Sequence, residues 1–401
     1  MKLPNLKGTW LLVLVTCGLL CISVQVSFAQ LSFVNIGYAR DGNYCNAVEV
    51  SSNFAYVGYN TGLRIYDVSN PTNLTKVGFA DDAGFVLGVT VSGVYAYVAN
   101  GNFDIYNVSS RTNPIRIADV GLGGASASDV AISGGYAYLI TGRDGFRIFN
   151  VSNPTNPISL GHFDNHSIIT DNHTPTSGGV AVSGHYAYVA NGNDGLRVFD
   201  VSNPTNPVSI FQRFDGGNAL SIIVSNNYAF LANNNDGIRV YDISNPSNVV
   251  NIGQAGGAYA TKLFISSGYL YAANDVGGLH VYDISNVTNV LDVGNFRTQD
   301  YGGGIAEDVA VSGMYPCVAN WNDGLRIFQI IPSLRINAAN GQLAVVSWPA
   351  ISVDFLLQEN SDLNTTNWVT VTNLPSLIGN RYQVTLALKP NNQFYRLNLT
   401  H

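Results

Sequence analysis

The chain has 401 residues, 41 of them glycine, with only 11% charged and a net charge of −7. That length exceeds one average domain and can bury a large core. No basic run occurs, so neither nucleic acid nor an anionic membrane surface is expected as a partner.

Residues 1–29 read as a signal peptide. Lys2 and Lys7 give a positive start, Leu11–Val26 is apolar, and Ser27-Phe28-Ala29 is a small-x-small cleavage site before Gln30. A retained anchor fits less well, because Thr16, Ser23 and Gln25 interrupt the apolar run. After cleavage no transmembrane segment is expected, and the location is secreted or extracytoplasmic.

From residue 62 onwards one phrase recurs. Copies begin at Gly62 (GLRIYDVSNPTN), Asn102 (NFDIYNVSSRTNP), Gly145 (GFRIFNVSNPTNP), Gly195 (GLRVFDVSNPTNP), Gly237 (GIRVYDISNPSN), Gly278 (GLHVYDISNVTN) and Gly324 (GLRIFQI). A spacing of roughly 40–50 residues between short β-runs is the mark of propeller blades. In the fourth copy, the runs Gly179–Ser183, Tyr186–Asn191, Leu196–Val201 and Pro207–Phe211 alternate β-branched or aromatic residues with others. Gly184-His185, Asp194-Gly195 and Asn203-Pro204 supply turns between them. Each copy is therefore one four-stranded antiparallel blade.

The seventh copy lacks its fourth strand. Leu31–Ala39 (LSFVNIGYA) matches the fourth-strand text Leu74–Ala80 (LTKVGFA) and is predicted to supply it. The fold expected is all-β: a seven-bladed propeller over residues 30–331, closed by an N-terminal strand. Copy two departs from the pattern, with Asp104 at the Arg position and Asn107 at the Asp position. A less regular blade is expected there.

The recurring Arg (Arg64, Arg147, Arg197, Arg239, Arg326) and Asp (Asp67, Asp200, Asp242, Asp283) are too regular for one active site. They read as structural, with the Asp closing the S-N-P turn and the Arg reaching a neighbouring blade. Cys45 and Cys317 fall on neighbouring blades. They could form a disulfide clasp or stay as small unpaired apolar residues, and two cysteines make no zinc site.

The widest step holds an insertion, Gly161–Gly178, with His162, Asp164, His166, Asp171 and His173. His162, Asp164 and His166 alternate, so on an extended strand they share a side. With His173 they are the candidate ligands of a divalent metal. The alternative is a polar loop with solvated histidines, and the chain requires no cofactor. The loops joining one blade to the next carry Asp81, Asp82, Phe85, Asp215, Tyr259, Asp300 and Tyr301. They should open on one face of the ring, with Trp321 of blade seven projecting to the same face. Aromatics beside carboxylates suit a sugar or peptide.

Residues 332–401 read as a separate small β-sandwich, with runs at Leu334–Ile336, Gln342–Trp348, Asp354–Glu359, Asn367–Thr372, Tyr382–Leu388 and Gln393–Leu399. Trp348, Phe355, Trp368 and Phe394 are its expected core, with a ligand platform as the alternative, and few contacts with the ring are expected.

The text G-L-R-[IV]-[YF]-D-V-S-N-P, preceded by V-A-V-S-G-x-Y-A-Y-V-A-N, resembles the LVIVD repeat family of secreted bacterial β-propellers over about residues 40–330. The tail is similar to the β-sandwich modules that end many large secreted bacterial proteins. The resemblance implies a propeller in the periplasm or on the surface of a bacterium, and brings no catalytic motif. No nucleophile elbow, phosphate loop, H-E-x-x-H or dinucleotide fingerprint occurs. The reading is a non-enzymatic, monomeric binding or scaffold protein that engages a protein or glycan through the loop face. A hydrolase or lyase on that face, metal-assisted through the insertion, is the rival. A structural surface component is the third reading.

Overall fold

The computed structural model describes residues 9–15, 31–41, 44–81, 85–142, 145–163, 178–214, 216–256, 259–297, 304–339, 342–351, 355–387, 389 and 393–399. Among these there is no α-helix. Seven four-stranded antiparallel sheets follow the seven copies, blades one to seven. Blade four is typical: Gly179–Ser183, Tyr186–Ala190, Leu196–Asp200 and Val208–Arg213 pair in sequence order. Blade two, expected to be less regular, has the same four strands in the same order.

The seventh blade is completed from the other end of the chain. Ser32–Ala39 pairs antiparallel with Leu325–Ile331, from Ser32 opposite Ile331 to Ala39 opposite Leu325. The first strands of successive blades touch in an unbroken circuit that returns from blade seven to blade one.

Two repeated details lock the blades. The pairing of third and fourth strands slips by one residue in blades one to six, as at Ile65/Tyr66 and Val198/Phe199, and the closing strand slips likewise between Asn35 and Gly37. A bulge of this kind sharpens the local twist. A glycine in the fourth strand then lets the next blade's turn approach. A Cβ on Gly78 would lie 1.9 Å from the Arg111 carbonyl oxygen, and one on Gly37 would lie 2.0 Å from that of Pro71. The second contact joins blade seven to blade one.

The recurring Asp closes the S-N-P turn as expected. Ser69, Ser202, Ser244 and Ser285 each donate their backbone N–H to the Asp two residues earlier, at 2.8–2.9 Å. The expected reach of the Arg to a neighbouring blade is only part of the picture. Its ion pair usually lies in its own hairpin, Arg239 with Asp236 (2.7 Å) and Arg326 with Asp323 (2.5 Å). Arg197 also lies over the Phe163 ring of blade three at 5.6 Å.

The tail forms two sheets. One orders Arg335–Ala339, Leu343–Pro349, Arg381–Ala387 and Ser376–Ile378, and the other contains Gln393–Leu399, Phe355–Asn360 and Val369–Thr370. Thr9–Val15, from the apolar stretch read as a leader, pairs with the free edge of Gln393–Leu399. Trp348, Phe355 and Phe394 are buried, whereas Trp368 is half-exposed beneath Arg396, 4.4 Å from the ring centroid.

The expectation of few contacts between tail and ring is corrected. Tyr269 of blade six donates to the Asn380 carbonyl (2.8 Å), and the Asn380 amide donates to Asp283 (2.8 Å) and to Gly268. One buried apolar cluster runs from Tyr269, Met314 and Ile330 into Leu334, Val346 and Trp348. The chain continues from Ile331 straight into the sandwich, which leaves no linker to hold the two apart.

Candidate functional site: loop face and axis

The hairpin between second and third strands faces the same way as the loops entering each blade. Its first residue is a buried or half-buried Asn in five blades (Asn100, Asn191, Asn233, Asn274, Asn320). In four of them the Asn N–H reaches a Gly carbonyl across the turn at 2.7–2.8 Å, as from Asn191 to Gly195. In three its amide also reaches the hairpin Asp (Asp194, Asp236, Asp323), which holds the Arg. The next residue has positive φ and bridges to a residue at the start of the following blade's first strand or two before it. The bridges are Gly101–Ala127, Gly192–Ala219, Asn234–Ala260, Asp275–Ala306 and Trp321–Cys45.

Two consequences follow for the residues singled out from sequence. Cys45 stands where four other blades have Ala. Cys45 and Cys317 are free, buried thiols in one apolar cluster, so the clasp is not formed, and burial pushes both thiols up. Trp321 occupies a left-handed position (φ 30°) where Gly101, Gly142 and Gly192 stand in other blades. Such a conformation is strained for a bulky residue and marks candidate recognition sites.

Trp321 stacks on Tyr44, with ring centroids 4.7 Å apart and planes at 14°. Tyr44 ends the loop leading from the closing strand into blade one, and it is 40% exposed. The sequence reading missed it, although closure by Leu31–Ala39 makes that stretch the seventh inter-blade loop. Beside it, Asp41 accepts from Arg64 Nε (3.0 Å) and Lys76 Nζ (2.9 Å). Burial alone would raise the Asp41 carboxyl, but the two cations hold it below its ordinary value. Asp81 pairs with Arg64 at 2.7 Å, so this predicted ligand residue serves the same network.

Of the other predicted residues, Phe85 (54% exposed) and Tyr259 (48% exposed, φ 22°) lie at the entries to blades two and six. Phe214, 65% exposed, joins them at the exit of blade four. Asp82, Asp215, Asp300 and Tyr301 lie outside the described residues, as do Asp164, His166 and His173. His162 is exposed in the fourth strand of blade three, opposite Arg147. Among the described residues no three His, Cys, Asp or Glu are grouped to hold a metal ion.

The axis carries a charge cluster that the sequence reading did not find. Asp129, Lys262 and Asp308 occupy one register position, just before the Val or Leu that pairs with the second strand of blades three, six and seven. Gly88 and Gly179 hold that position in blades two and four. Lys262 spans the axis from blade six to Asp129 of blade three (2.9 Å). Each Asp also accepts a backbone N–H of the following blade, Asp129 from Val180 (3.0 Å) and Asp308 from Val48 (2.9 Å). Burial would lower the Lys262 ammonium, but Asp129 and Asp308 outweigh it and raise it. Burial and Asp308 push the Glu49 carboxyl up to about 8. Burial, with Asp275 and Asp308, pushes Glu307 up to about 7. First strands start at the loop face, so this cluster lies at the centre of the face that the aromatics surround.

The LVIVD repeat model matches residues 41–82, 83–120, 124–165, 176–213, 216–255, 257–298 and 303–331. The chain belongs to the LVIVD repeat family. The first six matches each span the four strands of one blade, and the seventh spans three, its blade being completed by Ser32–Ala39. Residues 166–175, the heart of the insertion, fall between the third and fourth repeats. No curated protein matches the chain. Among solved structures, the computationally designed Ika8 protein is similar, with a TM-score of 0.52 and 10% identity over 74% of this chain and 99% of that one. At that identity the likeness is one of fold alone.

Proposed function

We propose that this LVIVD protein is a binding scaffold without catalytic activity, whose loop face engages a glycan or protein outside the cytoplasm. The Tyr44–Trp321 stack carries the reading. A tryptophan held in a glycine-like conformation, next to an exposed tyrosine, offers a flat apolar surface where sugar rings or peptide side chains stack. Phe85, Phe214 and Tyr259 extend that surface around the face.

Processing at Ala29, a monomeric mature protein and a metal-holding or lid role for the insertion belong to the same proposal. Processing would free the Gln393–Leu399 edge that Thr9–Val15 pairs with. The test is a glycan array and a peptide library probed with the wild type and with Y44A and W321A. Binding that drops at least tenfold in both variants supports the reading. Ligands held equally well by both variants refute the stack as the site. The hydrolase reading has one observation in its favour, the raised carboxyls of Glu49 and Glu307 at the centre of the face. Turnover of a bound glycan that stops in E307Q would replace the scaffold reading with that one.

A further inference from the structure

The junction between blade six and the sandwich holds a partly open cavity of about 290 Å³. Two arginines line it. Strand register puts Arg335 opposite Ser347 and Arg381 opposite Pro349, and positions two apart share a face of the sheet. Arg335, Ser347, Pro349 and Arg381 therefore lie on one face, while Trp348 lies on the other with Tyr382.

Neither cation is held directly by a carboxylate, although Asp283 lies near enough to favour the charged form of Arg381. Arg381 donates to Ser347, through Nε to Oγ (3.3 Å) and through Nη2 to the carbonyl (3.1 Å). The Arg335 Nε is buried without an acceptor. Among the described residues neither guanidinium forms an ion pair. Two carboxylates also line the cavity, and three of their four oxygens hold other groups. Asp283 Oδ1 accepts from Ser285 N–H (2.9 Å) and Asn380 Nδ2 (2.8 Å). Asp292 holds His280 Nδ1 through Oδ2 (2.8 Å) and Gly294 N–H through Oδ1 (3.1 Å). Burial and the like charge of Arg335 hold the Arg381 guanidinium down to about 10, against the opposing pull of Tyr269 and Asp283. A partly buried cation held by no carboxylate is costly, and the cavity beside it gives a counter-ion somewhere to sit. The remaining walls, including Leu31, Leu291 and the Tyr269 ring, are largely apolar.

We propose that this cavity binds a small organic carboxylate, its two oxygens on the Arg335 and Arg381 guanidiniums and its apolar body against blade six. A planar two-oxygen anion matches the guanidinium fork better than a spherical ion does. The site is separate from the loop face, and it would make the seating of the sandwich on the ring depend on a ligand.

The experiment uses the full chain, with sodium benzoate as the probe, benzamide as its neutral counterpart and sodium chloride as the ionic-strength control. Calorimetry should show saturable benzoate binding, and thermal melting should rise with benzoate only. R335Q should weaken benzoate at least tenfold. R335K keeps the charge and so protects folding, and it should weaken binding at least fivefold by losing the fork. Absence of benzoate binding, an equal response to benzamide or chloride, or wild-type affinity in a folded Arg335 variant would each overturn the proposal.

Discussion

The hairpins and the axis of this ring are built on opposite plans. In the hairpins the same Asn, Asp and Arg recur from blade to blade and bond within a few residues, as Asn233, Asp236 and Arg239 do. At the axis the residues differ between blades and bond across the chain, as Lys262 does with Asp129, 133 residues away. Blade two shows what the hairpin plan conserves. Its hairpin lacks the Asp, yet Asp104, at the Arg position, takes the Asn100 amide (2.8 Å), and Arg116 of the fourth strand supplies the guanidinium (3.3 Å). The carboxylate has moved to the third strand and the cation to the fourth while the arrangement survives. Repetition keeps the scaffold, and the individual character of the molecule lies where the copies disagree.

The strongest way to break the contrast is to remove what makes the axis a closed ring. Deleting residues 31–39 strips Leu325–Ile331 of its partner and Pro71 of the Gly37 surface it rests against. An unpaired strand edge recruits other chains. Size-exclusion chromatography with light scattering should find aggregates, not a folded monomer. A monodisperse, cooperatively melting product would show that the circuit of first strands holds without the closing strand.

Next in size is the charge pair that spans the axis. Lys262→Met leaves Asp129 and Asp308 facing each other without their cation. Breaking a buried pair from one side costs about 3–5 kcal/mol. Here the side chains keep 16% and 18% exposure, so urea denaturation should give about 3 kcal/mol, the low end. The double variant K262M/D129N should recover part of it. A loss under about 1 kcal/mol would show that water, not Lys262, balances the aspartates.

The repeats, the four-strand grammar, the closing strand and the Asp of each turn are all legible in the sequence, because each is a local pattern repeated many times. Leu31–Ala39 could be placed by its likeness to Leu74–Ala80. The axial cluster was not legible as chemistry, because Asp129, Lys262 and Asp308 meet only through register. Aligning the copies at the first strand does expose them, as charges where Gly88 and Gly179 stand. The Tyr44–Trp321 stack joins two aromatics far apart in the chain, which only the folded ring brings face to face. The Arg335–Arg381 pair needed the strand order of the sandwich, which alternation alone does not give.

Blade two offers a smaller test on the hairpin side. Asp104 is fully buried, whereas Arg116 is 42% exposed. D104A should cost about 1–3 kcal/mol, since it strands the half-buried Asn100 amide. R116Q should cost no more than about 1 kcal/mol, as a half-exposed pair contributes little. Equal losses in thermal melts would mean the swapped arrangement is held by its charges and not by the buried hydrogen bond.

The smallest expected effect separates hairpin from axis by pH. Glu49 faces Asp308, and in the folded chain its carboxyl rises from 4.5 to about 8. Between those values the native state keeps a proton that the unfolded chain has released. Stability from this group is therefore greatest below about pH 4.5 and declines as pH rises towards 8. Glu307, raised to about 7, acts in the same direction over a narrower window. In E49Q the decline should flatten. The variant should match the wild type near pH 4.5 and exceed it at pH 8 by about 1–2 kcal/mol, less than the full shift implies because Glu49 is only partly buried. The turn aspartates behave oppositely. Hydrogen bonds from Ser202 hold Asp200 below its ordinary value, so what it contributes is lost only as pH falls through the acid range. D200N should leave the interval from pH 4.5 to 8 untouched. If E49Q and the wild type trace parallel stability curves across that interval, Glu49 is solvated like a surface residue, and the axial cluster has no more electrostatic coupling than the hairpins do.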